Sequence, residues 1–314
     1  VTTVFDAPPR VRIDMGSTSD SLAAALRAAA GLLTRSGRIR LVDAGADAEL
    51  VHTVSGVAGP VPAGTHHVHT VDRVALRRGL RAARWWVRQE RSATAESTVW
   101  LAHGRTTARV LVSAGLTAGE RVHCLPVLAP PHGRPARHHD RAELRRALGI
   151  APGVRLVLGC EPDDGSADTG DWITAVRELG RTDVAVALCS LDGGGNRPRL
   201  ADLLTAADLF VAAGNDLAAC NPGAAAIAAG LPVVAVTTDS VADLIDAGRT
   251  GYVVPPDADA VAAAVAAHLD GAVPNRREPV GPDERRLAGR LARDLLAAYD
   301  LALSGPLTRA RRAW

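Results

Sequence analysis

The sequence predicts an α/β protein of two doubly wound parallel sheets, and three observations lead there. Short apolar runs alternate with helical stretches along almost the whole chain, the pattern of strands joined by helical crossovers. The alternation breaks at residues 129–141, "APPHGRPARHHDR", where Pro, Gly and charge mark a linker. At 314 residues the chain also exceeds the roughly 100–200 that one domain usually holds. The expected division is a first domain over 1–135, a second over 136–283, and a terminal helix over 284–314 that packs back toward the first.

In the first half, "RVRIDMG" (10–16) predicts a strand. "STSDSLAAALRAAAGLLTRSG" (17–37) opens on Ser, Thr and Asp caps, continues in Ala and Leu, and stops at Gly37, so it predicts a helix. "RIRLVDAG", "AELVHTVSG" and "GTHHVHTVD" predict three further strands. An arginine-rich helix is expected over 73–95, then a strand in "STVWLAH", a helix in "GRTTARVLVSAG" and a strand in "ERVHCLPV".

Beyond the linker, "RAELRRALGI" predicts a helix and "VRLVLGC" an apolar strand. The alternation resumes with helix "DWITAVRELG", strand "DVAVALCS", helix "RLADLLTAA" and strand "DLFVAAG". Helix "NPGAAAIAAG", strand "PVVAVTT", helix "SVADLIDAG", strand "TGYVV" and helix "ADAVAAAVAAHLDG" follow, before a long terminal helix over 283–304. Ligands of such sheets sit at the carboxyl ends of the strands, so a cleft between two such domains is the expected site.

Composition narrows the function classes. Hydrophobic residues at 47% and charged residues at 22% fit a folded globular chain. The net charge of +2, carried by arginine without any lysine, lacks the basic excess of a dedicated nucleic-acid binder. Basic clusters at 77–91, 141–149 and 309–313 read as solvated helix faces. The first also holds Trp85 and Trp86, which allows at most a peripheral contact with an anionic membrane. Cys124, Cys160, Cys189 and Cys220 form no C-x-x-C pair, so reduced thiols in a cytoplasmic protein are expected. Neither a signal peptide nor a spanning segment is expected. No G-x-G-x-x-G joins a strand to a helix, which argues against a dinucleotide-dependent oxidoreductase.

Asn221 is a suitable N-cap and Pro222 a suitable first helical residue. A helix start there, with about half a positive charge at its tip, favours a diphosphate or a sugar hydroxyl. Gly223 and Ala224 to Ala226 either leave room for a ligand or let the helix pack closely on the sheet.

The stretch "LLTAADLFVAAG…AAAIAAGLPVVAVTTDSVADLIDAGRTGYVVPPDADAVAAAVAAHL" resembles the donor half of retaining glycosyltransferases of family 4. "HGRTTARVLVSAGLTAGERVHCLPVLAP" and "RAELRRALGIAPGVRLVLGCEP" are similar to that family's approach to the linker and to the start of its second domain. The resemblance spans about residues 45–304 and is most specific over 200–270. It implies the GT-B fold, two Rossmann-like domains facing a cleft, with a nucleotide sugar as donor substrate and neither cofactor nor metal.

The family's working residues transfer incompletely. Two glutamates eight positions apart, one on the sugar and one on the ribose, fall on Leu217 and Ala225. Asp216 is the nearest acid to the first, with Asn215 beside it, and nothing replaces the second. The family's Arg and Lys for the diphosphate fall on Cys160 and Thr169, beside an acidic loop of Glu161, Asp163, Asp164 and Asp168. Charge-assisted hydrogen bonds contribute roughly 1.5–3 kcal/mol each, so losing both cations removes about two to four decades of rate. That loop reads either as solvated acid or as a holder of Mg²⁺ against a diphosphate. The family's Thr-x-His matches Thr65-His66-His67, making His67 the first choice and His69 the second; Thr70-Val71-Asp72 is a competing register. The Gly-rich loop after the first strand is reduced to Gly16, with Ser17 to Ser19 as helix caps, and the base-contacting segment near "DGGGN" is abbreviated. Asp243 stands where the family has a glutamate after the "PVVA" strand, one methylene shorter.

The resemblance therefore implies His67 and Asp216 as catalytic residues, and Asn215, Asn221, Gly223, Ala224 and Asp243 as donor-binding residues. The expected function is transfer of a sugar from a nucleotide sugar to an acceptor with retention. The alternative is a catalytically inactive homologue that partners an active enzyme.

Overall fold

The structure is a computed structural model that describes residues 7–15, 20–55, 61–72, 79–129, 141–160, 169–189, 199–213, 220–271 and 284–308. In chain order the elements are β1 (Arg10–Asp14), α1 (Asp20–Arg35), β2 (Arg40–Leu41), β3 (Leu50–Val54), β4 (His66–Val71), α2 (Gly79–Ala93), β5 (Val99–His103), α3 (Arg105–Ser113) and β6 (Val122–Leu125). There follow α4 (Arg141–Ala147), β7 (Arg155–Cys160), α5 (Thr169–Glu178), β8 (Val184–Cys189), α6 (Leu200–Ala206), β9 (Leu209–Ala212) and α7 (Pro222–Ala228). The chain ends through β10 (Val233–Val236), β11 (Gly251–Val254), α8 (Ala258–Leu269) and α9 (Glu284–Leu303).

Two compact units result: Val1–Pro126 with Asp283–Trp314, and Val127–Pro282. The first holds a six-stranded sheet in the order β2-β1-β3-β4-β5-β6, every pair parallel. The second holds five strands in the order β11-β10-β9-β7-β8, again all parallel. The strand order reverses beside β1 in one sheet and beside β7 in the other, which is the doubly wound topology the alternation predicts.

Handedness places the helices. Right-handed crossovers that step from β4 to β5 to β6 put α2 and α3 on one face of the first sheet. The step from β1 to β2 runs the other way and puts α1 on the opposite face, where α9 packs on α1 and on β3 through β6. In the second unit, α5 and α8 pack together over one face, burying Val157, Trp172, Leu209, Val211, Val234 and Val265. The other face buries Leu156, Leu158, Phe210, Leu204, Ala225 and Val233. A sheet covered on both faces needs near-continuous apolar strands, as "LFVA" and "VVAV" show.

Two elements depart from expectation. The strand predicted in "RIRLVDAG" shrinks to Arg40–Leu41, an exposed edge, and short edge strands limit pairing with other chains. The helix predicted in "SVADLIDAG" is a 3-10 turn over Ser240–Leu244. Asp239 caps it by accepting from the Val241 amide, and Ile245 has already turned extended, so no α-helical ladder develops. Gly251 is fixed by a close approach. Its φ is 153°, and a Cβ there would lie 1.8 Å from the Val233 carbonyl oxygen. Among the described residues, no helix is long and apolar enough to cross a membrane.

Candidate functional site

In the second unit, the expected site residues follow β9 and β10, at the carboxyl edge. Asn215 and Asp216 lie outside the described residues, as do Leu217, the acidic stretch 161–168, Gly16 to Ser19 and the "DGGGN" segment. Cys160 ends β7 and Thr169 begins α5. Of the positions that are described, Asn221, Gly223 and Ala224 come together at the start of α7, and the turn carrying Asp243 packs against that helix.

This junction is closed by its own hydrogen bonds. The Asn221 side-chain oxygen accepts from the Gly223 amide at 2.7 Å. Its NH₂ group donates to Asp239 Oδ1 at 2.8 Å and to Ser240 Oγ at 3.2 Å. The Ala224 amide donates to the Asn221 carbonyl. Asn221, Asp239 and Ser240 are all buried. A Cβ on Gly223 would come within 3.0 Å of Asn221 Oδ1 and of both Val241 methyls. The small residues here therefore serve close packing: the amides offered to an anion at this tip are bound to Asn221, and Val241 fills the space above Gly223. Ala225, where the family carries its ribose-contacting glutamate, is part of the apolar core. Asp243 is half-buried in the 3-10 turn.

In the first unit, His67 is placed differently from its expected role. It is the second residue of β4, at the amino end of the strand, whereas ligands of these sheets gather at the carboxyl ends. Both of its ring nitrogens are engaged: Nε2 with Thr53 Oγ1 at 2.8 Å and Nδ1 with Thr98 Oγ1 at 2.8 Å. Thr53 Oγ1 also meets His69 Nδ1 at 2.6 Å. His69 Nε2 meets Glu90 Oε2 at 2.7 Å, and its ring lies edge-on to Trp100. Ser55 donates to the other Glu90 oxygen, and the Ala95 amide donates to Thr98 Oγ1.

With a carboxylate at Glu90 and uncharged imidazoles, one set of protons satisfies the whole series. Ala95 N–H donates to Thr98, the Thr98 hydroxyl to His67 Nδ1, and His67 Nε2–H to Thr53. The Thr53 hydroxyl then donates to His69 Nδ1, and His69 Nε2–H to Glu90. Strand alternation puts Thr53, His67 and His69 on the α2 face and His52 and Thr70 on the α9 face. There His52 bonds Tyr299 Oη at 2.8 Å and Thr70 Oγ1 at 2.7 Å. Burial, reinforced by repulsion between protonated forms of His52 and His69, pushes the His52 imidazole down to about 3. Burial, then the same repulsion from His69 and His52, pushes His67 down to about 2. These histidines fill a sheet interior.

The carboxyl edge of the same sheet carries groups that sequence reasoning passed over. The β4–β5 ladder ends at Val71 opposite Ala102, so Asp72 and His103 follow at the edge of adjacent strands. Thr70-Val71-Asp72, the competing register, thus ends the strand. His103 Nδ1 donates to the Pro126 carbonyl at 2.6 Å, which leaves the Nε2 lone pair as an acceptor. That atom is buried with no hydrogen-bond partner among the described residues. Burial pushes His103 down to about 4, against the opposing pull of the Pro126 carbonyl and Asp72. The signal in the sequence was "LAHG": a histidine closing a strand before a helix, with Gly104 at φ 88°.

Comparison with known proteins falls on these elements. Residues 188–270 match the family described as Glycosyl transferases group 1. No curated protein sequence matches the chain. Among solved structures, sucrose-phosphate synthase from Thermosynechococcus elongatus superposes at TM-score 0.51 and 13% identity, over 94% of this chain and 95% of that one. The glycosyltransferase WaaG, involved in lipopolysaccharide biosynthesis, gives 0.53 and 16%, over 92% and 98%. Anabaena HepE, in complex with UDP and glucose, gives 0.56 and 13%, over 93% and 95%. The fold is that of GT-B glycosyltransferases, and residues 188–270 carry the likeness in sequence as well.

Proposed function

We propose that the chain is a glycosyltransferase that moves a sugar from a nucleotide-sugar donor to an acceptor with retention. The observation that carries this reading is the match of residues 188–270 to glycosyl transferases group 1, which spans the β9–β10 carboxyl edge. The UDP and glucose of HepE support a nucleotide sugar as the donor class. Asp216 and Asn215 are the proposed sugar contacts and Asp243 a donor-side acid, with Asn221, Gly223 and Ala224 bracing the start of α7 and the turn that carries Asp243. The reading needs neither metal nor cofactor and takes the protein to act in the cytoplasm.

On the first unit, His103 replaces His67 as the proposed acceptor-side histidine. Burial holds this imidazole unprotonated, so its Nε2 lone pair suits a hydrogen bond from an acceptor hydroxyl. The bond from sugar to diphosphate breaks, the acceptor oxygen bonds the same carbon on the same face, and its proton passes to the departing phosphate.

A second reading, an inactive homologue that partners an active enzyme, is favoured by Ala225, which lies in the core where a ribose-binding acid would act. Turnover separates the two. Incubation with UDP-, GDP-, ADP- and dTDP-sugars should release one nucleoside diphosphate, and Asp216→Asn should lower that release by on the order of a hundredfold. No release from any donor, together with a stoichiometric partner on purification from the native host, would instead support the second reading.

A further inference from the structure

The pair Trp85-Trp86 is split by α2. Trp86 is buried at 4% exposure while Trp85 stands 59% exposed. Arg81, Arg84 and Arg88 are exposed with it, and the spacing of three and four residues lines all four along one stripe of the helix. Glu90, the acid of this helix, points inward to His69. On α3, which covers the same sheet face, Arg109 and Val112 are exposed. From α2, Arg91 Nη2 donates to the carbonyls of Ala114 and Gly115, just past the end of α3. Among the described residues, no carboxylate pairs with Arg81, Arg84, Arg88 or Arg109.

We propose that this outer surface of α2 and α3 docks on a phospholipid bilayer that carries anionic headgroups. Charge complementarity chooses the occupant. Four guanidinium groups unmatched by acid attract a negative surface, and arginine stems can lie along acyl chains while their heads stay among phosphates. An indole set among them sits favourably at the boundary between headgroup and hydrocarbon. A nucleic acid fits less well, because the chain's net charge is only +2 and such binders concentrate a larger basic excess. The inference is independent of the reaction proposed above.

The test uses the full chain and sucrose-loaded vesicles, either of phosphatidylcholine alone or of phosphatidylcholine mixed with phosphatidylglycerol. Sedimentation with the mixed vesicles at low salt, and release at high salt, is expected. Each arginine near an anionic surface accounts for about a fivefold change in partition. The triple variant Arg81→Gln, Arg84→Gln, Arg88→Gln should therefore bind on the order of a hundredfold more weakly, with its thermal midpoint unchanged because the three side chains are exposed. Trp85→Ser should lower partition at both salt concentrations. Failure to sediment with mixed vesicles, equal sedimentation with both kinds, or undiminished binding by the triple variant overturns the proposal. So does binding of a single-stranded RNA oligonucleotide that is lost in the triple variant while the unaltered chain ignores vesicles.

Discussion

The two sheets share a topology and differ in what fills them. In the second, the strands beside the order reversal bury Leu, Val, Phe and Ala on both faces, and the charged cluster of Arg141, Arg145, Arg155 and Asp208 collects at the strands' amino ends. In the first, β3 and β4 bury His52, Thr53, His67, His69 and Thr70, each joined to a neighbour. One strand order thus tolerates either interior, but on different terms. Apolar side chains need only fit, whereas each buried nitrogen or hydroxyl needs a partner, and losing one leaves another unsatisfied.

Acid should separate the two units most strongly. His52, His67 and His103 titrate in the folded chain at about 3, 2 and 4, below the 6.5 of an exposed imidazole. The unfolded chain therefore takes up protons first. The stability these groups leave intact above pH ~7 is lost as pH falls through 6.5 toward the folded values. By pH 4.5 the loss is on the order of several kcal/mol, a large share of a domain's stability. Hydrogen exchange by mass spectrometry at stepped pH should show β3, β4 and β5 opening while β9 and β10 stay protected. Simultaneous opening of both sheets would erase the distinction.

A packing lesion should reverse the order. Gly251→Ala sets a methyl group against the Val233 carbonyl, which should destabilise the second unit by roughly 3–5 kcal/mol. The same exchange experiment at neutral pH should show β10 and β11 opening first.

Thr53→Val sharpens the comparison from the other side. It leaves one nitrogen of His67 and one of His69 unpartnered, at a cost of roughly 2–4 kcal/mol in denaturant unfolding. Thr205→Val, which removes the hydroxyl's bond to the Ala201 carbonyl on α6, should change stability by about 1 kcal/mol or less. Asn221→Ala removes a cap and the tie to Asp239 and Ser240, and should cost about 1–2 kcal/mol with no ligand present. A loss seen only in the presence of nucleotide would make Asn221 a ligand contact and not a brace.

The fold class was legible because alternation and length depend on local pattern: nearly every predicted strand and helix is present within a few residues. What was not legible depended on partners distant in sequence. Three histidines in four residues look like a site, and their meaning came from Glu90 on α2 and Tyr299 on α9. The alternation of His67 and His69 onto one face was visible, but the carboxylate waiting for them was not. Asn221 and Gly223 read correctly as a helix start. That Val241 and Asp239 close over it followed from "SVADLIDAG" winding as a 3-10 turn, a matter of tertiary contact. His103 went unremarked because its orphaned nitrogen exists only once Pro126 has taken the other.

Binding of a nucleoside diphosphate tests the functional reading most directly. The full chain should be titrated with UDP, GDP, ADP and dTDP while hydrogen exchange is followed in both units. One of them should raise stability by about 2.7 kcal/mol at a hundredfold excess over its Kd, with protection concentrated between β9 and the turn after β10. Absence of protection by every member of the panel, or protection confined to β3 and β4, would contradict it.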